Sequence, residues 1–213
     1  VSGDFYWFTT VGKRRFFVAA DCTGHGVPGA FMSVVGVDLL NQIISMTPEV
    51  HADEALSKLH KGVTRALRQD NSDSRDGMDM GIIIFEEGSN KIEYAGAKMP
   101  LFYVDTESHF VRANRLPIGR WHIAQTHEYK RWELELQQPT VFYLYSDGFA
   151  DQTGGKDQRK FIAKNFRSVL EENSNKPMAI QREILEHTLD KWMETAKLQI
   201  DDILVCGIRM EPV

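Results

Sequence analysis

Four places in this 213-residue chain set an acid at the end of an apolar run: Asp4, Asp21, Asp147 and the pair Asp201-Asp202. Asp4 opens Phe5–Phe8, Asp21 closes Phe16–Ala20, Asp147 follows Thr140–Tyr145, and Asp201-Asp202 opens Ile203–Met210. Two of these strands start at their acid and two end at theirs, so antiparallel pairing can bring all four ends to one edge. Carboxylates gathered at one edge are electrostatically costly unless cations hold them together. Donors that are all oxygen select hard ions such as Mg²⁺ or Mn²⁺. Two such ions can activate a water, orient a phosphate and stabilise charge during in-line displacement.

The elements that must position these acids read as follows. Gly12-Lys13 turns Gly3–Phe8 back onto Arg14–Asp21 as a hairpin, which sets Asp4 and Asp21 at the same end. A glycine-studded turn, Thr23-Gly24-His25-Gly26, follows, and Pro28 opens a helix, where its missing N–H costs nothing. Taken alone, this stretch also fits a bland reading, with Asp21 as a helix cap and the glycines as a turn; the other acids in similar settings weigh against it. Val27–Met46 carries apolar residues at 31, 34, 35, 39, 43 and 44, a helical spacing that predicts a core-facing stripe, and its small residues Gly29, Ala30 and Gly36 predict close packing against a neighbour. Asp53 is expected to cap a second helix through Leu67, with Ala55, Leu56, Leu59, Val63 and Leu67 on its core face.

The middle is rich in strands: Asp79–Glu86, Lys91–Ala95, Leu101–Val104, and shorter ones near His109–Val111 and Tyr129–Leu134. Asn71–Asp76 and 151–160 are polar, and the second is expected to be a mobile loop. Two helices follow, Phe161–Glu172 and one beginning at Pro177. Nine or ten strands and four helices, the helices in two pairs, predict an α+β layered domain with antiparallel sheets between helices rather than βαβ units. Without an internal repeat or a convincing linker, residues 1–213 read as one domain.

Bulk properties exclude other classes. A net charge of −5 with no Lys/Arg run argues against nucleic acid. No uninterrupted apolar run approaches the ~20 residues of a membrane span, so no membrane contact is expected of the domain itself. The two cysteines, Cys22 and Cys206, lie in apolar strands and read as reduced, buried thiols. Neither is followed by an arginine six positions on, so a thiolate phosphatase loop is absent, as are HExxH and GxxxxGK[ST]. Of seven histidines only His25 sits in a motif, as a turn residue more than a ligand.

Gly3-Asp4-Phe5-Tyr6, Asp21-Cys22-Thr23-Gly24-His25-Gly26-Val27-Pro28-Gly29-Ala30, Leu116-Pro117-Ile118-Gly119, Tyr145-Ser146-Asp147-Gly148 and Asp201-Asp202 together resemble the SpoIIE/RsbU branch of the PPM (PP2C-type) metal-dependent serine/threonine phosphatases. The motifs span the chain in that family's order. The resemblance implies an αββα sandwich and a binuclear Mn²⁺/Mg²⁺ centre at one edge. It implies that Asp21 bridges the ions, that the Cys22 backbone carbonyl ligates one, and that Asp147 and Asp201 ligate the other. Asp4 would hold metal-bound water. Asp202 would support the edge, with the choice between the two adjacent acids left open. A metal-activated water would attack phosphorus directly, with no phospho-enzyme.

Asp151 stands where some relatives use an acid for a third metal, but the partner acid falls near Ala97, so that pattern is incomplete. Many branch members read AGHxPP where this chain has Ala95–Pro100, which leaves Lys98 either facing the phosphate or on a solvated surface. Leu204 replaces the threonine of DDxT. The resemblance further implies a phosphoserine or phosphothreonine substrate on a small regulatory protein, STAS-like or, as in SiaA-like sensors of biofilm signalling, SiaC-like. It implies a cytoplasmic domain within a longer regulator anchored in the bacterial inner membrane. A weakly active recognition module and a purely structural cation site remain as alternatives, and the helix pair Val27–Leu67 could equally form a homodimer face.

Overall fold

The computed structural model describes residues 2–24, 26–69, 76–119, 128–195 and 198–213. The first hairpin joins β1 (Phe5–Val11) to β2 (Arg14–Cys22), with Val11 opposite Arg14, so the turn is the two residues Gly12-Lys13. Gly12 takes a positive φ of 60°, as such a tight turn requires. β2 pairs with β3 (Gly77–Glu86), β3 with β4 (Lys91–Ala97), and β4 with β8 (Trp132–Glu135), all antiparallel. The short β7 (Ile118–Gly119) also pairs with β3. A second sheet has the order β12 (Val205–Met210), β9 (Thr140–Tyr145), β5 (Leu101–Val104), β6 (Ser108–Val111).

The two sheets stack. Side chains alternate faces along a strand, and the burial follows that period. Phe16, Val18, Ala20, Met80, Ile82 and Ile84 point away from the second sheet, into a core shared with α1 (Val27–Met46) and α2 (Ala52–Ala66). Ala19 and Ile83 point between the sheets and meet Phe142 and Leu144 of β9. The alternate residues of β9, Val141, Tyr143 and Tyr145, form a third layer with Phe166 and Leu170 of α4 (Ala163–Asn173) and with Leu185 and Leu189 of α5 (Met178–Met193). β9 is covered on both faces, which is why all six of its residues are buried and its sequence TVFYLY does not alternate. The result is the αββα sandwich the resemblance implies. At Gly81 a side chain would stand 2.7 Å from Leu144 Cδ2, so its absence lets the sheets close.

Several expectations are corrected. α1 has the expected bounds, but its buried face is Gly29, Met32, Gly36, Leu40 and Ile44, while Phe31 and Val34 are 63 % and 67 % exposed. Apolar residues ring this helix, so spacing alone could not phase it, and two glycines mark the close face instead. By length and composition alone α1 is apolar enough to cross a membrane; Asp38, Asn41 and Gln42 interrupt it, and its small-residue face packs on the first sheet. The N-cap of α2 is His51, two residues before Asp53, and the Glu54 carboxylate accepts from the His51 N–H at 3.4 Å.

The segment 151–160 is not a loose loop. It holds a small hairpin, β10 (Thr153–Gly154) with β11 (Arg159–Lys160), pinned where Trp192 Nε1 donates to the Gln152 carbonyl at 3.0 Å. A fifth helix, α3 (Gly148–Asp151), precedes it. The reading of His25, and most of that of 71–76, falls outside the described residues.

Candidate active site

Registers assemble the acids. Phe5 pairs with Ala20, which sets Asp4 across from Asp21 at the open end of the first hairpin. Asp21 continues the face of Phe17 and Ala19, so it sits at the mouth between the two sheets. On the neighbouring strand Asp79 pairs directly with Asp21 and continues the face of Gly81 and Ile83. Asp79 was not among the acids singled out from sequence. It opens the strand read from sequence as Asp79–Glu86, yet β3 begins two residues earlier, at Gly77, and the β2–β3 register supplies its partner.

The second sheet delivers the remaining acids. The Leu204 N–H donates to Ser146 Oγ at 2.9 Å, and the Ser146 N–H donates to the Leu204 carbonyl at 3.0 Å. This double link holds Ser146-Asp147-Gly148 beside Asp201-Asp202. The approach is so close that a Cβ on Gly148 would overlap the Asp202 carbonyl oxygen. The link is made by Leu204 backbone while its side chain packs between the sheets, so the departure from DDxT leaves this joint intact. The two sheets are then tied together where the Gly3 N–H donates to Asp202 Oδ2 at 2.7 Å. Beneath them, Gly3, Gly24 and Gly29 pack backbone on backbone: a Cβ on Gly29 would overlap the Gly24 carbonyl oxygen, and one on Gly3 would stand 2.8 Å from it.

The acids feel one another. Burial pushes Asp21 up to about 8, and Asp4, Asp147, Asp79 and Asp201 add to the rise. Burial pushes Asp4 up to about 6; the Ser146 hydroxyl eases it, while Asp202, Asp201 and Asp147 raise it. Asp147 is raised by burial, then by Asp151, Asp201 and Asp79. Asp4 Oδ2 is buried with no hydrogen-bond partner among the described residues. A buried, unpartnered carboxylate oxygen in a field of like charge is costly unless something positive answers it.

The donor set fits hard divalent cations: oxygen atoms only, an excess of negative charge, and one orphaned oxygen. As placed, no three His, Cys, Asp or Glu side chains among the described residues are close enough to enclose a cation. The Cys22 thiol is buried, free and pushed up to about 12, so it stays neutral and takes no part, leaving only its backbone carbonyl as a donor. Cys206 is likewise free and buried.

The outlying candidates divide. Asp151 Oδ2 accepts from Lys160 Nζ at 2.6 Å, so a lysine already answers the charge a third metal would need. Lys98 is exposed to solvent, and its Nζ lies 3.0 Å from Asp79 Oδ2, which ties it to the acidic cluster. Asp202 spends one oxygen on Gly3 and Asp201 one on the Asp202 N–H at 2.9 Å, so each keeps its second oxygen.

The raised acids make a prediction for the metal-free chain. Their folded values lie above the ordinary 3.8, so the folded chain retains protons the unfolded chain has released. The stability this confers is complete below about 3.8 and is lost as pH rises through about 6 and then about 8. In chelator, Tm should therefore be lower at pH 8.5 than at pH 5 by roughly 5 °C. Mn²⁺ should raise Tm more at the higher pH; an equal rise at both would contradict this electrostatic account.

Comparison with known proteins agrees with this geometry. The family profile described as Stage II sporulation protein E (SpoIIE) matches residues 12–211. The chain belongs to the SpoIIE family. It is 22 % identical over 209 residues to phosphoserine phosphatase RsbU of Bacillus subtilis (strain 168), covering 95 % of this chain and 57 % of that protein. It thus spans little more than half the length of that curated relative. The SiaA-PP2C domain of Pseudomonas aeruginosa superposes with a TM-score of 0.88 at 26 % identity, over 99 % of this chain and 81 % of that one. The PP2C phosphatase domain and regulatory fragment of the cell fate determinant SpoIIE from Bacillus subtilis gives a TM-score of 0.74 at 17 % identity, over 99 % and 59 %. This SpoIIE-family chain therefore carries the PP2C-like fold of the serine/threonine phosphatases, with its acids at the mouth between the sheets.

Proposed function

We propose that this SpoIIE-family domain hydrolyses phosphoserine or phosphothreonine on a small regulatory protein, STAS-like or SiaC-like, with two Mn²⁺ or Mg²⁺ ions. The observation that carries the reading is the set of carboxylates from both sheets at one mouth, charged against one another, with a buried Asp4 oxygen left unanswered. Asp21, the Cys22 carbonyl, Asp147 and Asp201 would hold the ions, with Asp4 reaching them through water and Asp202 bracing the edge. Bound there, the ions supply a nucleophilic water at neutral pH and positive charge for the phosphate oxygens.

The chain's own residues do the rest. The Gly3–Asp202 bond and the Ser146–Leu204 pair hold acids that come from different sheets near one another, which limits how far they must move to act together. The glycine floor keeps side chains out of the approach. Lys98, held at Asp79, places a positive charge beside the cluster, suited to a phosphate oxygen.

In this reading residues 1–213 form one catalytic domain of a longer, membrane-anchored regulator and work in the cytoplasm. The length of RsbU relative to this chain supports the longer regulator, and the membrane anchor and cytoplasmic placement rest on the resemblance. An SiaC-like partner draws its support from the SiaA likeness.

Asp147→Asn tests the ligand set, since it keeps shape and removes charge. The Mn²⁺ concentration for half-maximal turnover should rise roughly tenfold or more, with the circular dichroism spectrum unchanged. Full activity at the wild-type Mn²⁺ concentration would remove Asp147 from the set.

A further inference from the structure

A basic groove leaves the acidic mouth at Lys98. It has a volume of about 390 Å³ and is lined by Lys98, Phe110, Arg112, Asn114 and Arg115. We propose that this groove is the docking track for the phosphoprotein, and that it selects substrates with acidic residues flanking the phosphorylated side chain. The proposal rests on the phosphatase reading above and adds to it the chemistry of the substrate chain.

The position comes first. Ala97 bridges to Asn114, and the Lys98 N–H donates to the Asn114 carbonyl at 2.8 Å, so the segment carrying Arg112 and Arg115 is stitched alongside Lys98. Lys98 in turn bridges backbone to Met80 and reaches Asp79, the register partner of Asp21. The groove therefore begins at a residue that is ion-paired with Asp79, one strand across from Asp21, which sets it beside the mouth.

The backbone is held for the purpose. Lys98 has a φ of +59°, in the left-handed region that a non-glycine residue enters only at a cost. Three bonds keep it there: its own N–H, Met99 N–H to Ala97 carbonyl at 2.8 Å, and Asn114 N–H to Gly96 carbonyl at 2.8 Å. The turn sends the Lys98 side chain toward the acids while the groove continues on the other side.

Charge decides the occupant. The chain as a whole carries −5, yet this groove has three cations on its wall. Arg112 and Arg115 are exposed and make no ion pair among the described residues. Lys130 adds a fourth cation beside Asn114; the acids beside the groove among the described residues include Asp79, which is paired with Lys98, and the exposed Glu128. Arg167 stacks on Phe110 at 5.0 Å, which keeps that ring and its positive cover at the groove's far wall. Unpaired arginines suit carboxylates, which they bind in a forked geometry. The surrounding negative charge disfavours nucleic acid and anionic membranes, which would meet the whole surface, and favours a short acidic segment confined to the groove.

The test compares three substrates in Mn²⁺: a phosphoserine peptide with Asp/Glu flanks, the same peptide with Asn/Gln flanks, and 4-nitrophenyl phosphate. Wild type is compared with Arg112→Glu/Arg115→Glu. Wild type should prefer the acidic peptide roughly fivefold in kcat/KM, through KM, with the preference fading at high salt. The double variant should lose or invert that preference while hydrolysing 4-nitrophenyl phosphate within about twofold of wild type. Equal use of the two peptides by wild type, or an unchanged preference in the variant, overturns the groove while aryl phosphate turnover leaves the phosphatase reading standing. Polarisation binding of the labelled peptides reads the groove without turnover. Tighter binding of an acidic single-stranded DNA than of the acidic peptide would assign the groove to nucleic acid and also overturn it.

Discussion

Asp21→Asn should lose metal-dependent turnover by roughly a thousandfold or more while making the metal-free chain more stable. The two effects have one cause. Asp21 is raised to about 8 because it is buried among Asp4, Asp147, Asp79 and Asp201. An amide of the same shape removes the charge that the fold must otherwise bury and hold against its neighbours. In chelator at pH 8.5 the variant should melt about 5 °C higher than wild type. Added Mn²⁺ should then stabilise it less than wild type. A variant that lost activity and stability together would place Asp21 in the packing of the sheet rather than in a cation site.

Gly148→Ala should be the most damaging single methyl in the site. A Cβ there would overlap the Asp202 carbonyl oxygen and stand 3.1 Å from Ile203 Cγ1. The obstacle is backbone, and its segment is held by the Leu204 N–H on Ser146 Oγ and by the Asp202 side chain on the Gly3 N–H, which resist its swinging aside. Overpacking against a fixed wall costs about 3 kcal/mol or more, which for a chain of this size lowers Tm by roughly 10 °C. Since Asp147 and Asp201-Asp202 are the groups pushed apart, residual turnover should need far more Mn²⁺ than wild type.

Gly62→Ala gives the contrast. There a Cβ meets only the tip of Leu39, with Cδ2 at 3.0 Å, and the position lies inside α2. A flexible tip can shift, and alanine favours the helix by about 0.8 kcal/mol over glycine, so this variant should melt at or slightly above wild type. If both glycine variants melted alike, the backbone contact at Gly148 would not be the reason.

Much of this arrangement was legible in the residues. Acids at strand ends, a two-residue turn and a proline-led helix specified the Asp4–Asp21 hairpin, and the structure sets those two residues face to face. Asp79 was passed over although it opens the strand read as Asp79–Glu86, because what makes it a site residue is its pairing with Asp21, and a cross-strand register is not written in either strand alone. The facing of α1 was also hidden, because Phe31 and Val34 are as apolar as Met32 and Leu40. Glycines at 29 and 36 select the packed face, and a hydrophobicity pattern does not count them. The hairpin at 153–160 was missed because its polar, glycine-containing residues resemble a loop, and its anchor, Trp192, lies far along the chain. The basic groove was likewise invisible in a net charge of −5 with no cationic run, since its lysines and arginines come together only through the pairing of Ala97 with Asn114.

The central claim is that acids from two sheets form a cation-dependent phosphatase site. Phosphate release from a phosphoserine peptide and from 4-nitrophenyl phosphate, with Mn²⁺, with Mg²⁺ and with chelator, tests it most directly beside Asp21→Asn. The account predicts turnover that requires the divalent ion, stops in chelator, and falls by roughly a thousandfold in the variant. Turnover that persists in chelator, or that Asp21→Asn leaves intact, would contradict it.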